Sequence, residues 1–263
     1  MEKLEHELWI VQAVNAALGP MVTALLRALG RPVESRAQVI PDYLVMAALI
    51  IIAWTVLCLI LRRSLSVESP GKLQIVIEDG VAAIQGMMHD YVGHKAPRYL
   101  AIVVTMFVFI VTGNLMGLIP GLKSPTSNIN VTLGCALTVA VYYHIQGVRA
   151  QGIWHYLKHF AAPPGAPLFI APIMLPIEII SHISRVLSLT LRLFGNIFAE
   201  DLVILILFSI IPFLVPLPMM FLGIITALLQ AYIFVLLTTI YLGGAVATEH
   251  EQNEHGEMAA GEV

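Results

Sequence analysis

The sequence predicts an all-α membrane protein: about three spanning helices, one interfacial helix, and a C-terminal hairpin of two long tilted intramembrane helices. Two observations lead there. Hydrophobic residues make up 58% of the 263 and charged residues 12%, with a mean hydropathy of +0.85. Soluble domains carry about twice that charged share, so the surplus apolar surface needs lipid to face. The second observation is where charge persists. From Phe160 to Thr248 the only Asp, Glu, Lys or Arg residues are Glu178, Arg185, Arg192, Glu200 and Asp201, and everything from Leu202 to Thr248 is uncharged. An ionised side chain in hydrocarbon costs about 2.5–3.5 kcal/mol on insertion scales, so such a cluster marks a functional site by default.

In chain order, residues 1–40 are expected to form an extramembrane or interfacial segment, with an amphipathic stretch around Leu8–Leu18 broken at Gly19-Pro20. A first span runs from about Tyr43 to Leu61, close to the ~20 residues a bilayer needs, and stops at Arg62-Arg63. Over residues 70–98, Ile75, Val76, Ala82, Ala83 and Met87 are interleaved with Glu78, Asp79, Gln85, His89 and Lys95. That mixture suits a helix lying at the membrane surface, which completes a region of 41–98.

A membrane domain over 99–248 follows. Its second span covers about Tyr99–Ile119 and its third about Asn128–Val148, joined by the turn-rich Pro120-Gly-Leu-Lys-Ser-Pro-Thr. Arg149–Pro167 is a polar, then Pro/Gly-rich connector. Two very long apolar segments come next, about Ile170–Ile211 and Pro216–Ala247, parted by Pro212 to Pro218. Forty helical residues at ~1.5 Å each exceed a perpendicular crossing, so the first must tilt steeply or bend. Residues 249–263 form an acidic, solvated tail. No internal repeat is evident.

Arg62, Arg63, Lys72, Lys95, Arg98, Arg149 and Lys158 all fall on one side of this topology, and only Lys123 lies in the opposite short loops. The positive-inside rule then puts the N-terminus outside and the C-terminus in the cytoplasm. Several function classes drop out. A net charge of −3 and a pI near 6.3 make no case for nucleic acid. Cys58 and Cys135 sit in apolar runs without CxxC spacing, as small packing residues. The opening Met-Glu-Lys-Leu-Glu-His-Glu is acidic where a cleaved signal would be basic. No cofactor motif is present, and neither an HExxH nor a phosphate-cradling loop.

Projected at about 100° per residue, Glu178, Ser181, His182, Arg185, Arg192, Asn196 and Glu200 fall within roughly a 100° sector. Ile179, Ile180, Ile183, Val186, Leu187, Leu189, Leu191 and Leu193 lie mostly on the other faces. A polar stripe over six turns is longer than one ion pair requires, and it has the form of a path with a fixed cation in its middle. Arg192 cannot give up its proton, so it attracts a carboxylate while refusing to relay. Glu178, Glu200 and Asp201 can take up and release protons. The plain alternative is a structural intramembrane salt-bridge network, although buried ion pairs contribute little net stability. On the last segment Gly223, Thr226, Gln230 and Tyr241 share one sector. Singly, such polar residues are usually helix–helix contacts; facing the stripe, Gln230 and Gly223 become its partners.

Leu189-Thr-Leu-Arg192-Leu-Phe-Gly-Asn196 resembles the signature of subunit a of the rotary F-type ATP synthases. Ser124-Pro-Thr-Ser-Asn-Ile-Asn-Val-Thr-Leu133, Pro172-Ile-Met-Leu-Pro-Ile-Glu178, Leu229-Gln-Ala-Tyr-Ile-Phe234 and Thr239-Ile-Tyr-Leu242 match as well, so the similarity covers roughly Tyr99 to Leu242. The resemblance implies that 99–248 is an ion-channel domain with two aqueous half-channels separated by Arg192, which faces the carboxylate on each helix of a rotating c-ring. It assigns Glu200, Asp201 and Asn196 to the inlet, Gln230 to the neighbourhood of Arg192, and Glu178 and Ser181 to the cytoplasmic outlet. His182, Arg185, Gly223, Thr226 and Tyr241 become supporting residues. Implied partners are c-ring subunits, b-type peripheral stalk subunits, the remainder of the F-type synthase and membrane lipid, and the implied location is a bacterial cell inner membrane. No catalytic site, cofactor or metal is implied, since ATP conversion belongs to other subunits. Some family members carry Gly at the position of Glu200 and His at that of Gly223. This chain has the reverse, so the two positions are expected to be neighbours, with Glu200 as the relay.

His155 and His159 stand i,i+4 with His144 nearby, a spacing that can hold a metal, but membrane metalloenzymes of that kind need several such pairs. His250 and His255 carry no specific signal. The rival function is a self-contained membrane transporter with a buried Arg/Glu substrate site, which would normally show repeats or paired broken helices.

Overall fold

A computed structural model describes residues 9–28, 39–66, 69–119, 121–154, 156, 171–210 and 216–246, and no strand occurs among them. Seven α-helices carry the described chain: α1 Trp9–Ala28, α2 Asp42–Ser64, α3 Lys72–Val92, α4 Ala96–Met116, α5 Ile129–Gln151, α6 Ala171–Ile210 and α7 Pro216–Val246. Short 3-10 turns at Gly93–Lys95 and Pro125–Ser127 complete it. Among the described residues, five segments are long and apolar enough to cross a membrane: Asp42–Arg63, Lys72–Met116, Ile129–Gln151, Pro172–Ile210 and Pro216–Val246. This is an all-α membrane protein. Lipid can satisfy no backbone amide, so helices are what an apolar chain of this kind must form.

The helix ends follow the chemistry of the sequence. Asp42 opens α2 and Arg62 and Arg63 close it, each placed favourably against the helix dipole. Between α3 and α4 the chain turns at Gly93, whose φ of 69° is a conformation that a side chain disfavours. The helix expected over 70–98 is therefore two pieces, α3 and the start of α4. The long apolar segments form α6, 40 residues with Pro176 inside, and α7, 31 residues.

One expectation is corrected. Gly19-Pro20 does not break the N-terminal helix: α1 runs through with Pro20 inside it. A proline removes one backbone hydrogen bond and bends a helix, but contacts elsewhere can hold the rest. Here Val11 is buried, and Asn15 clamps the backbone of Ile40, accepting from its N–H and donating to its carbonyl at 3.0 Å each. Beyond the proline, the Thr23 hydroxyl donates to the Gly19 carbonyl at 2.7 Å.

Two compact units share the chain. The first comprises Met1–Glu68, Phe109–Val131 and Phe194–Leu228. Its core joins Val11 of α1, Val45, Met46 and Ile50 of α2 and Met116 of α4, with Trp54 and Phe109 packed against them. Trp54 also donates its indole N–H to Thr112 at 2.8 Å, as a half-buried indole should. The second comprises Ser69–Val108, Thr132–Leu193 and Leu229–Val263. Within it, Gln151 at the end of α5 donates to the Ala245 carbonyl of α7 at 3.1 Å. Gly243 of α7 lies against the backbone of Tyr91 in α3: a Cβ there would collide with the Tyr91 carbonyl oxygen and lie 3.2 Å from its carbon.

Candidate functional site

The polar stripe lies on α6 with greasy side chains turned outward. Ile180, Ile183, Leu187 and Leu191 are 50–65% exposed, as lipid-facing residues would be. Glu178, Ser181, His182, Arg185, Arg192 and Glu200 are half-buried, whereas Asn196 is exposed. Leu189, Leu193 and Ile197 form the buried edge beside them. Around α6, half-buried polar positions and buried apolar ones thus stand apart from exposed apolar ones.

In the second unit the stripe meets α5. Glu178 Oε1 lies 3.2 Å from Nε2 of His182, one helical turn on. The other ring nitrogen of His182, Nδ1, shares a 2.8 Å hydrogen bond with the Tyr143 hydroxyl. His144 packs close by at a tilt, its ring centroid 4.7 Å from that of His182, and its Nδ1 shares a 2.7 Å hydrogen bond with the Tyr156 hydroxyl. Tyr156 lies beyond the end of α5, where burial raises its hydroxyl above the ordinary value; Glu178 adds to the rise and Arg185 opposes it. The Arg185 guanidinium sits over the Tyr241 ring, 4.9 Å from its centroid, a cation–π contact joining two residues of the predicted stripes.

In the first unit the acidic pair sits among hydroxyls. Glu200 Oε1 occupies the place where a Cβ on Gly223 would stand, so the two positions are neighbours, and Glu200 Oε2 is buried without a hydrogen-bond partner. Asp201 lies off the stripe, within hydrogen-bond reach of the Ser127 hydroxyl, and its Oδ1 would be 3.4 Å from a Cβ on Gly117. Behind them is a buried network. Ser124 donates to the Gly113 carbonyl at 2.9 Å, Thr126 to Asn114 Oδ1 at 2.6 Å, and Asn114 to the Ala227 carbonyl at 3.5 Å. Buried hydroxyls and amides need such partners, and here they line a polar patch inside apolar helices.

Arg192 follows Glu178 by fourteen residues and precedes Glu200 by eight on one continuous helix. Among the described residues its side chain makes no hydrogen bond or ion pair. Gln230 is buried, at 2% exposure, and Thr226 donates its hydroxyl to the Leu222 carbonyl of its own helix at 3.0 Å. His155 and His159, the metal candidates, and His250 and His255 lie outside the described residues, and no group of three or more metal-ligating side chains forms among those described.

Tyr143, Tyr156 and Asn114 were not singled out by sequence reasoning, and His144 drew attention only as a metal candidate. The pattern around them was visible in part: Ser124 to Leu133 belongs to a motif, but the approach of Ser127 to Asp201 appears only in the structure.

The comparisons agree with the motifs. A family model, ATP synthase A chain, matches residues 43–243. ATP synthase subunit a of Koribacter versatilis is 38% identical over 248 residues, covering 94% of this chain and 100% of the relative. That of Solibacter usitatus is 41% identical over 236 residues, 90% of this chain and 99% of the relative. That of Geobacter sulfurreducens is 41% identical over 202 residues, 77% and 86%. With the arginine stripe, the acidic pair and the five apolar segments already in place, this multi-pass membrane chain belongs to the ATP synthase subunit a family.

Proposed function

We propose that the chain is the stator half of the ion channel of an F-type ATP synthase in a bacterial inner membrane, its N-terminus outside and its C-terminus cytoplasmic. It translocates ions and couples them to rotation of a c-ring; ATP chemistry belongs to other subunits of the complex, which a b-type peripheral stalk holds against it. Glu200 and Asp201, with Asn196, form the inlet. Glu178 and Ser181 form the outlet. Arg192, with Gln230 nearby, stands between them and attracts each rotor carboxylate as it arrives, so ions travel with the ring and cannot leak from inlet to outlet.

The observation that carries this reading is Arg192 itself: half-buried, permanently charged, and without a partner among the described residues, between carboxylates on either side along α6. A buried cation of this kind is costly unless an anion comes to it. A self-contained transporter would need its own substrate to fill that role. Reconstitution separates the two. The purified chain alone should be inert in liposomes, and the whole complex should lose both gradient-driven ATP synthesis and ATP-driven pumping in R192A. Transport by the chain alone, or full-speed synthesis by R192A, would overturn the proposal.

A further inference from the structure

We infer that Ser127 is a positioning residue of the inlet: its one hydroxyl proton turns between the Ser124 carbonyl and Asp201, so Asp201 keeps a hydrogen-bond partner both with its proton and without it. The inference rests on the inlet role proposed for Asp201 and adds a residue from the turn that precedes α5.

Two contacts set Asp201 against that turn. It is within hydrogen-bond reach of the Ser127 hydroxyl. Its Oδ1 and the Ser124 Cβ also crowd the point where a Cβ on Gly117 would stand, at 3.4 and 2.9 Å. A hydroxyl has one proton to donate and two lone pairs with which to accept. Ser127 donates its proton to the Ser124 carbonyl at 2.8 Å. Toward Asp201 it can then only accept, which suits the neutral acid but leaves a carboxylate facing lone pairs. Rotation about the Cβ–Oγ bond reverses the fit and aims the O–H at the carboxylate as a charge-assisted donor. The Ser124 carbonyl is not orphaned by that rotation, because the Ser127 backbone N–H also donates to it, at 3.3 Å. Ser127 itself carries no proton onward; the one that Asp201 releases goes on to the rotor carboxylate that Arg192 attracts.

The rest of the turn holds this hydroxyl in place. Ser124 donates to the Gly113 carbonyl at 2.9 Å and Thr126 to Asn114 Oδ1 at 2.6 Å, both of them buried. Pro125 fixes the first residue of the 3-10 turn, and Lys123 ties the segment to Asp42 at 2.8 Å. With the backbone anchored on both sides, only the hydrogen of Ser127 has to move. Among side chains uncharged at neutral pH, a hydroxyl serves this role well because the same oxygen is donor and acceptor.

The test is passive proton conduction through the membrane sector of the assembled complex, after removal of its soluble head, across a series of pH values with assembled subunit quantified. The charged groups around the turn, Glu200, Lys123 and Asp42, are the same in every Ser127 variant. Loss of the hydroxyl removes a stronger bond from the carboxylate than from the acid, so in S127A the midpoint of the profile should rise by about one unit. S127T keeps the hydroxyl and should keep the parental midpoint whatever its amplitude. S127V has the shape of threonine without the hydroxyl, should shift as S127A does, and serves where S127A fails to assemble. A parental midpoint in S127A and S127V at any rate of conduction, or an equal shift in S127T, would overturn the inference, since a merely structural hydroxyl changes amplitude alone. D201N run alongside separates the two proposals. Parental pumping in D201N removes the inlet role of Asp201, whereas loss in D201N beside an unmoved midpoint in S127A removes only the part given to Ser127.

Discussion

Exchanging the residues at positions 200 and 223 should rescue what either change alone damages. Glu200 Oε1 fills the space of a Gly223 side chain, and a Cβ there would also come within 2.9 Å of the Glu200 carboxyl carbon and 3.0 Å of Leu118 Cδ2. Ordinary contact begins near 3.4 Å, so in G223H the carboxylate must retreat. Its other oxygen is already buried without a partner, so the retreat carries a polar group through packed surroundings. Overpacking of this kind costs about 1–3 kcal/mol. At 1.36 kcal/mol per decade, that is about 5- to 150-fold in any rate that needs the original geometry. E200G removes the obstruction along with the titratable group. In E200G/G223H the imidazole enters the vacated volume, and the glycine merely moves from α7 to α6, leaving the summed helix propensity nearly unchanged. ATP-driven fluorescence quenching in inverted vesicles, normalised to assembled complex, reads the result. Each single variant should pump at least about fivefold slower than the parent, and the double variant should be faster than either. A double variant as slow as the product of the singles would mean that the two sites act independently, which contact residues should not. G223H pumping at the parental rate would refute the overlap.

Two further outcomes concern stability, read as thermal inactivation of the purified complex. G243A and G244A should have opposite signs: the first drives a Cβ into the Tyr91 backbone and should cost about 1–3 kcal/mol, while Gly244 faces open space and should gain up to about 1 kcal/mol from helix propensity. T126V removes the donor to Asn114 Oδ1 within a buried network and should cost about 1–3 kcal/mol, with T126S closer to the parent.

Much of the fold was legible because apolar length is a strong signal. The ends of α2, α5, α6 and α7 lie within about three residues of the expected spans, since runs of charge or proline bound each of them. The projected stripe on α6 was legible for the same reason, helical period being a local property. Arg185 over Tyr241 was half legible, as two residues on two stripes with nothing to pair them. Tyr143 and Tyr156 were not, because a lone tyrosine in an apolar helix has no periodic signature until α6 brings His182 to it. Gly19-Pro20 misled because a proline speaks for its own backbone hydrogen bond, while Asn15 and Val11 hold α1 through contacts that lie 25 or more residues away in the chain.

The unbroken course of α6 sets the spacing of its side chains by residue count alone. From Arg192 to Glu200 there is no loop to absorb an error, so one added alanine would swing every later side chain by about 100° and carry it about 1.5 Å onward. Positions 200 and 223 meet across two helices, where one side chain can make room for another, whereas on a single helix the residue count alone sets the spacing.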